Sequence, residues 1–421
     1  MERELKTASG IPVYYDANPK LHGFCLCLYV KAGPLYEADE QNGSTHYFEH
    51  MVFRHLQNRL NGELYRLLDR LGLEFSACTY RELLQFKIVG AAQHFDTAAD
   101  ILSQILSPMC LSAADVAMER RRIKAEIRED GERRSLDYFA RQLTWAGTPL
   151  RNTITGRPAV LDRLGPAAVE QLRRTLLTTP NLFFYATGHV SEPRMRRLIG
   201  YIDRFPITSG PANDNRAPVP ANFGKRNGQV AVKNGDAHLI RFSFDVDVNR
   251  SHNAELDLLY DILFTGDSCK LYQALSEQTG YAYSYDACFE KYRNIGCLYL
   301  QYETRSADLL PSIQAAAKAF SALKSDLDDE LELVRAAYVD NAGLLLDDCE
   351  EYNWIRAYEG HVLGLPYRDW EERAAAYAAV TPAQLTAICR ELFVPDRLVL
   401  TIKTDRRRVR EAAIREIIHQ I

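Results

Sequence analysis

Residues 207 to 228, "ITSGPANDNRAPVPANFGKRNG", divide a chain of 421 residues almost in half, and the two halves repeat one order of elements. Rich in Pro, Gly and Asn and without apolar periodicity, the segment has the composition of an exposed linker. Before it, "ELKTASGIPVYYD" signals a hairpin turning at Ser9-Gly10, followed by the strand "FCLCLYVKAG" and a helix over 43 to 57. The helix "GELYRLLDRLG" then enters alternating segments, "LEFSACTY" and "LLQFKIVG", which read as strands. Helices are expected over 92 to 106, 112 to 141 and 166 to 177, then the strand "NLFFYATG" and a closing helix. After the linker, "QVAVKN" and "HLIRFSFDVDV" supply strands and 252 to 264 a helix. "CKLYQALSEQTGYAYSYDACF" reads as a helix entering a strand, and "GCLYLQYET" as its neighbour. Long helices, the strand "RLVLTIK" and a last helix complete the half.

The best internal match sets "ELYRLLDRLGLEFSA" against "KLYQALSEQTGYAYSY". Each has Leu-Tyr in a helix, a glycine at its end, and a strand with serine at the fourth place after that glycine. Such shared order points to a tandem duplication, against the alternative of common hairpins and helices falling in the same succession by chance. Antiparallel strands with helices grouped in runs favour an α+β layer fold over a doubly wound parallel sheet. The expected architecture is therefore two duplicated domains, 1–206 and 229–421, each an antiparallel sheet packed against helices.

A hydrophobic content of 47% with 25% charged residues is that of a soluble globular protein. A net charge of −5 gives no electrostatic case for nucleic acid or an anionic membrane. No apolar run approaches the length of a membrane span, and "MERELKTASGIPVYY" lacks the apolar region of a signal peptide. The nine cysteines form no CxxC and read as reduced thiols, which implies a cytoplasmic location.

Chemistry concentrates in "STHYFEHMVF", residues 44 to 53. On a helix, His46 and His50 lie one turn apart on one face and can close on a single metal ion. Glu49 sits on the adjoining stripe, near enough to take a proton from water at the metal. The bland reading is a pair of surface histidines with an ion-pairing Glu. Against it, the flanking "YF" and "MVF" make the helix largely apolar, and two unpaired imidazoles there are costly to bury. His55, five residues after His50, leaves that face and reads as structural. A third ligand must come from another element. The helix "MERRRIKAEIREDGERR" offers Glu119 and Glu126, which share a stripe two turns apart, although so charged a helix is also what a solvated face looks like.

HYFEH is the inverted form of the HExxH zinc motif, and Glu126 follows His50 by 76 residues. With the Asn-Gly opening of "NGSTHYFEHMVF" and Glu119 seven residues before Glu126, the chain resembles the pitrilysin-like zinc metallopeptidases, family M16, over essentially its whole length. The resemblance implies that His46, His50 and Glu126 ligate one zinc ion, with Glu129 the first substitute for Glu126. It makes Glu49 the general base and Glu119 an auxiliary acid. The strand holding Phe75, Ser76, Ala77, Cys78 and Thr79 would pair with extended substrate by β-augmentation, with Ser76 replacing the family's asparagine. It further implies a zinc endopeptidase acting on short or unfolded peptides in a chamber between two two-domain units, possible precursors of peptide products among them.

The second half carries "LDLLYDILF" where HYFEH would recur. The family's substrate-binding arginine and tyrosine, seven residues apart, fall on Ser276 and Tyr283. A hydroxyl cannot replace a charged bidentate donor. A homologous partner chain could supply the Arg/Tyr pair in a heterodimer, which is the favoured expectation. Lys270 or Arg293 could serve in a homodimer, or the chain could be a scaffold. A zinc-dependent module that binds a leader peptide without cutting it is the reading from a different class.

Overall fold

Period-two alternation in the predicted strands gives each a face for helices and a face for something else, and both faces are used. The computed structural model describes residues 1–248, 253–325 and 327–421. The first sheet contains β1 (Arg3–Lys6), β2 (Pro12–Ala17), β3 (Gly23–Val30), β4 (Glu74–Thr79), β5 (Leu84–Ala91) and β6 (Leu182–Gly188), in the order β1-β2-β6-β3-β5-β4. The second contains β7 (Gln229–Asn234), β8 (Leu239–Asp247), β9 (Tyr285–Lys291), β10 (Ile295–Glu303) and β11 (Leu398–Thr404), in the order β7-β11-β8-β10-β9. Each sheet is antiparallel except for one parallel pair, β2 with β6 and β7 with β11. The second order repeats the first without β1, so the α+β duplication expected from the sequence is present strand for strand.

The helices that position the site are α1 (Ser44–Arg59), α2 (Leu64–Leu71), α3 (Phe95–Ser103) and α4 (Ala113–Asp130). After them come α5 (Leu136–Thr144), α6 (Pro158–Leu161), α7 (Pro166–Leu176), α8 (Glu192–Ile202) and α9 (Asn253–Phe264). The single helix expected over 112 to 141 is two. Gly131, at φ 54°, ends α4 in the left-handed conformation, and the Ser135 hydroxyl accepts the Tyr138 N–H at 2.9 Å to start α5. The strand expected from "TGYAYSYDACF" begins only at Tyr285. The helix expected from 252 is described from Asn253, residue 252 lying outside the described residues.

The chain forms two compact units that are not continuous in sequence. The first is residues 1–131, 152–215 and 343–370; the second is 132–151, 216–342 and 371–421. In the first, Leu26, Leu28, Phe86, Ile88 and Phe184 meet Phe48, Val52 and Leu56 of α1 on one face of the sheet. On the other face, Cys25, Cys27, Tyr29 and Tyr185 are covered by residues of the 343–370 segment. There Asn353, wholly buried, accepts from the Tyr29 hydroxyl at 2.8 Å and donates to the Tyr185 carbonyl at 3.1 Å. In the second unit α5 packs on the sheet, where Arg141 pairs with Glu290 at 2.5 Å and Trp145 donates to the same carboxylate at 3.1 Å. The segment expected to be an exposed linker has no regular element but is anchored throughout. Asn213 donates to the Lys31 carbonyl at 2.7 Å, Ala217 exchanges two hydrogen bonds with the Asn294 side chain, and Arg226 is buried in a bidentate pair with Asp245. Among the described residues no helix is long and apolar enough to cross a membrane.

Candidate metal centre

The N-terminus of α1 has no capping side chain of its own, because its cap is Gly43. A buried carboxylate from outside the helix does that work. Glu37 accepts the N–H groups of Gly43 and Thr45, each at 2.8 Å, and the Ser44 hydroxyl at 3.3 Å. An anion there is favoured both by the free N–H groups and by the helix dipole. Gly43 (φ 95°) lies against Gly156 (φ 82°) so closely that a Cβ on Gly156 would sit 2.3 Å from the Gly43 Cα. Asn42 completes the entry, donating to the Thr153 carbonyl at 2.8 Å. The Asn-Gly opening of the motif is thus a packing requirement.

Beyond this entry α1 is held from two sides. Phe48, Val52 and Leu56 pack on the sheet, while Tyr47 and Met51 pack with Val116 and Ile123 of α4. A capping box at Ser112 and Asp115 fixes where α4 begins. The two helices bring His46, His50 and Glu126 together, their candidate ligand atoms all within 4.8 Å of one another. His46 Nε2 stands 3.6 Å from one Glu126 oxygen and His50 Nε2 stands 3.7 Å from the other. These separations are too long for hydrogen bonds and close to the edge of a tetrahedron around an ion with bonds of about 2.0–2.1 Å. Burial, and then the neighbouring His50, push the His46 imidazole down to about 4, so it is neutral with a free lone pair. Two imidazoles and one carboxylate, with a fourth position open, are the donor set of a hydrolytic zinc site, and the residues fit that ion. Glu129 is exposed and outside the cluster.

Glu119 is buried, 3.6 Å from His50 Nδ1, and accepts from Arg54 at 2.7 Å. His50 first, then Arg54, hold its carboxyl down to about 2. It therefore stands as a charged partner beside the Nδ1 side of the His50 ring. Glu49 faces the same space. Its Oε2 accepts the Thr79 hydroxyl at 2.5 Å, and burial raises its carboxyl above the usual range against the lowering effect of that bond. Thr79 ends β4, which pairs only with β5 among the described residues and so leaves one edge free. Phe75, Ala77 and Thr79 are the more buried side chains of β4 and Ser76 and Cys78 the exposed ones; Phe75 meets Phe53 of α1 with ring centroids 4.8 Å apart and planes tilted by 38°. A cleft of about 190 Å³ opens beside His50 and Glu49, with Phe53 and Tyr65 as aromatic walls and Arg54, Glu119 and Arg122 completing its lining.

His55 is structural. Fully buried, it lies 3.0 Å from the Ser107 hydroxyl through Nε2 and accepts the Cys110 N–H at 2.9 Å through Nδ1. In the second unit, Ser276 is half-buried in a helical turn and Tyr283 is 98% exposed ahead of β9. Lys270 is paired with Glu330, and Arg293 is exposed in the turn before β10. Glu37 and Thr79 are the supporting residues that the motif did not flag as such. An acid shortly ahead of a glycine-started helix is the signal that could have found the first.

The model "Insulinase (Peptidase family M16)" matches residues 13–157, and "Peptidase M16 inactive domain" matches 163–338. The chain belongs to peptidase family M16. The uncharacterized zinc protease YmxG of Bacillus subtilis is 20% identical over 391 residues, covering 92% of this chain and 95% of that one. The mitochondrial-processing peptidase subunit beta of Lentinula edodes is 24% identical over 49% of this M16 chain and 46% of its own. A crystal structure of a peptidase M16 inactive domain from Pseudomonas fluorescens superposes with a TM-score of 0.83 at 15% identity, covering 96% of this chain and 98% of the other.

Proposed function

We propose that this M16 chain is a zinc-dependent endopeptidase that cleaves short or unfolded peptides laid along the free edge of β4. The observation that carries the reading is the convergence of His46, His50 and Glu126, with Glu49 beside them and an unpaired strand edge next to Glu49. Zinc held by those three ligands supplies a Lewis acid that acidifies water and polarises a peptide carbonyl. Glu49 accepts the proton of the attacking water and returns it to the departing amine, and Thr79 keeps its carboxylate in place. Glu119 places a charge beside the ring of His50. The backbone of Phe75, Ser76, Ala77, Cys78 and Thr79 pairs with the substrate as an added strand. Replacing Glu49 by Gln should lower turnover by about 10²–10⁴-fold while zinc content and peptide binding persist. An unchanged cleavage rate would refute the role of Glu49; binding with no cleavage in the wild type would favour the non-cleaving module.

Ser276 supports a second element of the proposal, that the active assembly is a heterodimer whose homologous partner provides the Arg/Tyr pair, so that the chamber closes between two chains. A relative named as a peptidase subunit, and as a processing peptidase, supports both the partner and a role in precursor processing. Tyr283, exposed in its loop, would then be an incomplete half of that pair. Full activity of the purified lone chain on a peptide library would sink the divided site. A cytoplasmic location is part of the proposal, supported by nine free thiols.

A further inference from the structure

We propose that the cleft beside His50 selects substrates bearing a carboxylate on the residue that flanks the cleaved bond, and that Arg122 is the group that reads it. The inference rests on the endopeptidase reading and names the chemistry of the substrate. Charge in the cleft is unevenly committed. Arg54 is held on both sides, by Glu119 at 2.7 Å and by Asp115 at 3.9 Å. Among the described residues Arg122 has as ion-pair partner only Glu119, at 3.6 Å, a separation too long for a hydrogen bond, and its side chain is 71% exposed. Glu119 already serves Arg54 through its other oxygen, and an exposed pair of this kind contributes little. Arg122 is thus the uncommitted positive charge on the rim of a site whose walls, Phe53 and Tyr65, are aromatic.

A side chain entering the cleft beside Glu49 passes between these walls and reaches the guanidinium. A carboxylate can accept from this guanidinium through two oxygens, whereas a lysine or arginine meets its like charge. Attraction and repulsion therefore act in the same direction on selectivity. The carboxylate has two possible sources, an Asp or Glu side chain or the free C-terminus of a short peptide.

The test uses the zinc-loaded full chain carrying Glu49→Gln, so that binding is read without turnover. Fluorescein-labelled peptides of Ala and Ser around one Phe, with Glu, Gln or Lys beside the Phe and either a free or an amidated C-terminus, are titrated by anisotropy. Glu should bind about fivefold tighter than Gln, and Lys more weakly than both. Adding Arg122→Glu should reverse the Glu/Lys order, and Arg122→Ala should abolish it. A preference that follows the free C-terminus instead of the side chain assigns the carboxylate to the chain end, and Arg122→Glu must then remove it. Peptide binding with the same Glu/Lys ratio in wild-type and Arg122→Glu backgrounds overturns this inference alone. Failure to bind any peptide overturns this inference, whereas the endopeptidase reading stands or falls with the Glu49→Gln turnover comparison made with the homologous partner present.

Discussion

Glu37 contributes no atom to the metal cluster, yet its two bonds of 2.8 Å decide where α1 begins and so where His46 points. Replacing it by Ala leaves buried N–H groups without an acceptor, at a cost of about 1–3 kcal/mol each. The expected outcome is a lower melting temperature and weaker zinc retention in a chelator competition, with Glu37→Gln intermediate because it keeps an acceptor but loses the charge. His55 makes a different prediction. Burial pushes its imidazole down to about 4 from the ordinary 6.5, so the unfolded chain binds its proton first as pH falls. Its stabilising effect is complete above about 6.5 and is lost as pH drops toward 4. Urea unfolding of wild type and His55→Gln should show a stability gap at neutral pH that narrows through this window; a constant gap would remove the titration account. These two residues also mark what could be read from sequence. His46, Glu49 and His50 were legible because one helix spaces them. Glu37 and Thr79 act through approaches between elements that local spacing does not encode.

At the scale of elements, the strands were legible from alternation and the site helix from its apolar stripe, but the break at Gly131 was not. Charged residues run through "AEIREDGERRS" without an apolar period to end, so only the glycine and Ser135 marked the boundary. The counterpart of α1 in the second unit is α9, and two of its carboxylates are engaged in other work. Asp257 pairs with Lys291 and accepts the Tyr377 hydroxyl at 2.6 Å, while Asp261 accepts from Thr265 at 2.7 Å. With no imidazole on α9, and no second cluster of metal-binding side chains among the described residues, that helix has no counterpart of the site on α1 and α4. Metal binding should therefore depend on α1 and α4 alone. Glu126→Gln should weaken zinc by more than the 10–100-fold typical of an outer partner, and Glu129→Gln should leave it unchanged. Equilibrium dialysis would check this, and equal loss in both variants would move the third ligand along α4.

For the whole molecule, the duplication was legible in the order of elements, whereas the exchange of segments was not, since local spacing does not encode which sheet the helices of 132–151 and 343–370 cover. The exchange makes each half of the sequence incomplete. Without 343–370, the Tyr29 hydroxyl loses Asn353, Lys87 loses Glu350 at 2.5 Å, and the apolar face of Cys25, Cys27 and Tyr185 is uncovered. Without 132–151, Glu290 loses both Arg141 and Trp145, and the sheet loses α5 from β8 and β11. Uncovering a sheet face exposes apolar area at about 25 cal/mol per Å², and the lost hydrogen bonds add about 1 kcal/mol each, against a domain stability of only about 5–15 kcal/mol. Residues 1–215 and 216–421 expressed separately should each aggregate or fail to show a cooperative melt. Expressed together as two chains they should co-purify and bind zinc, because each brings the segment the other's unit lacks. A lone 1–215 fragment that melts cooperatively and retains zinc would show that the borrowed segment is dispensable to the first unit.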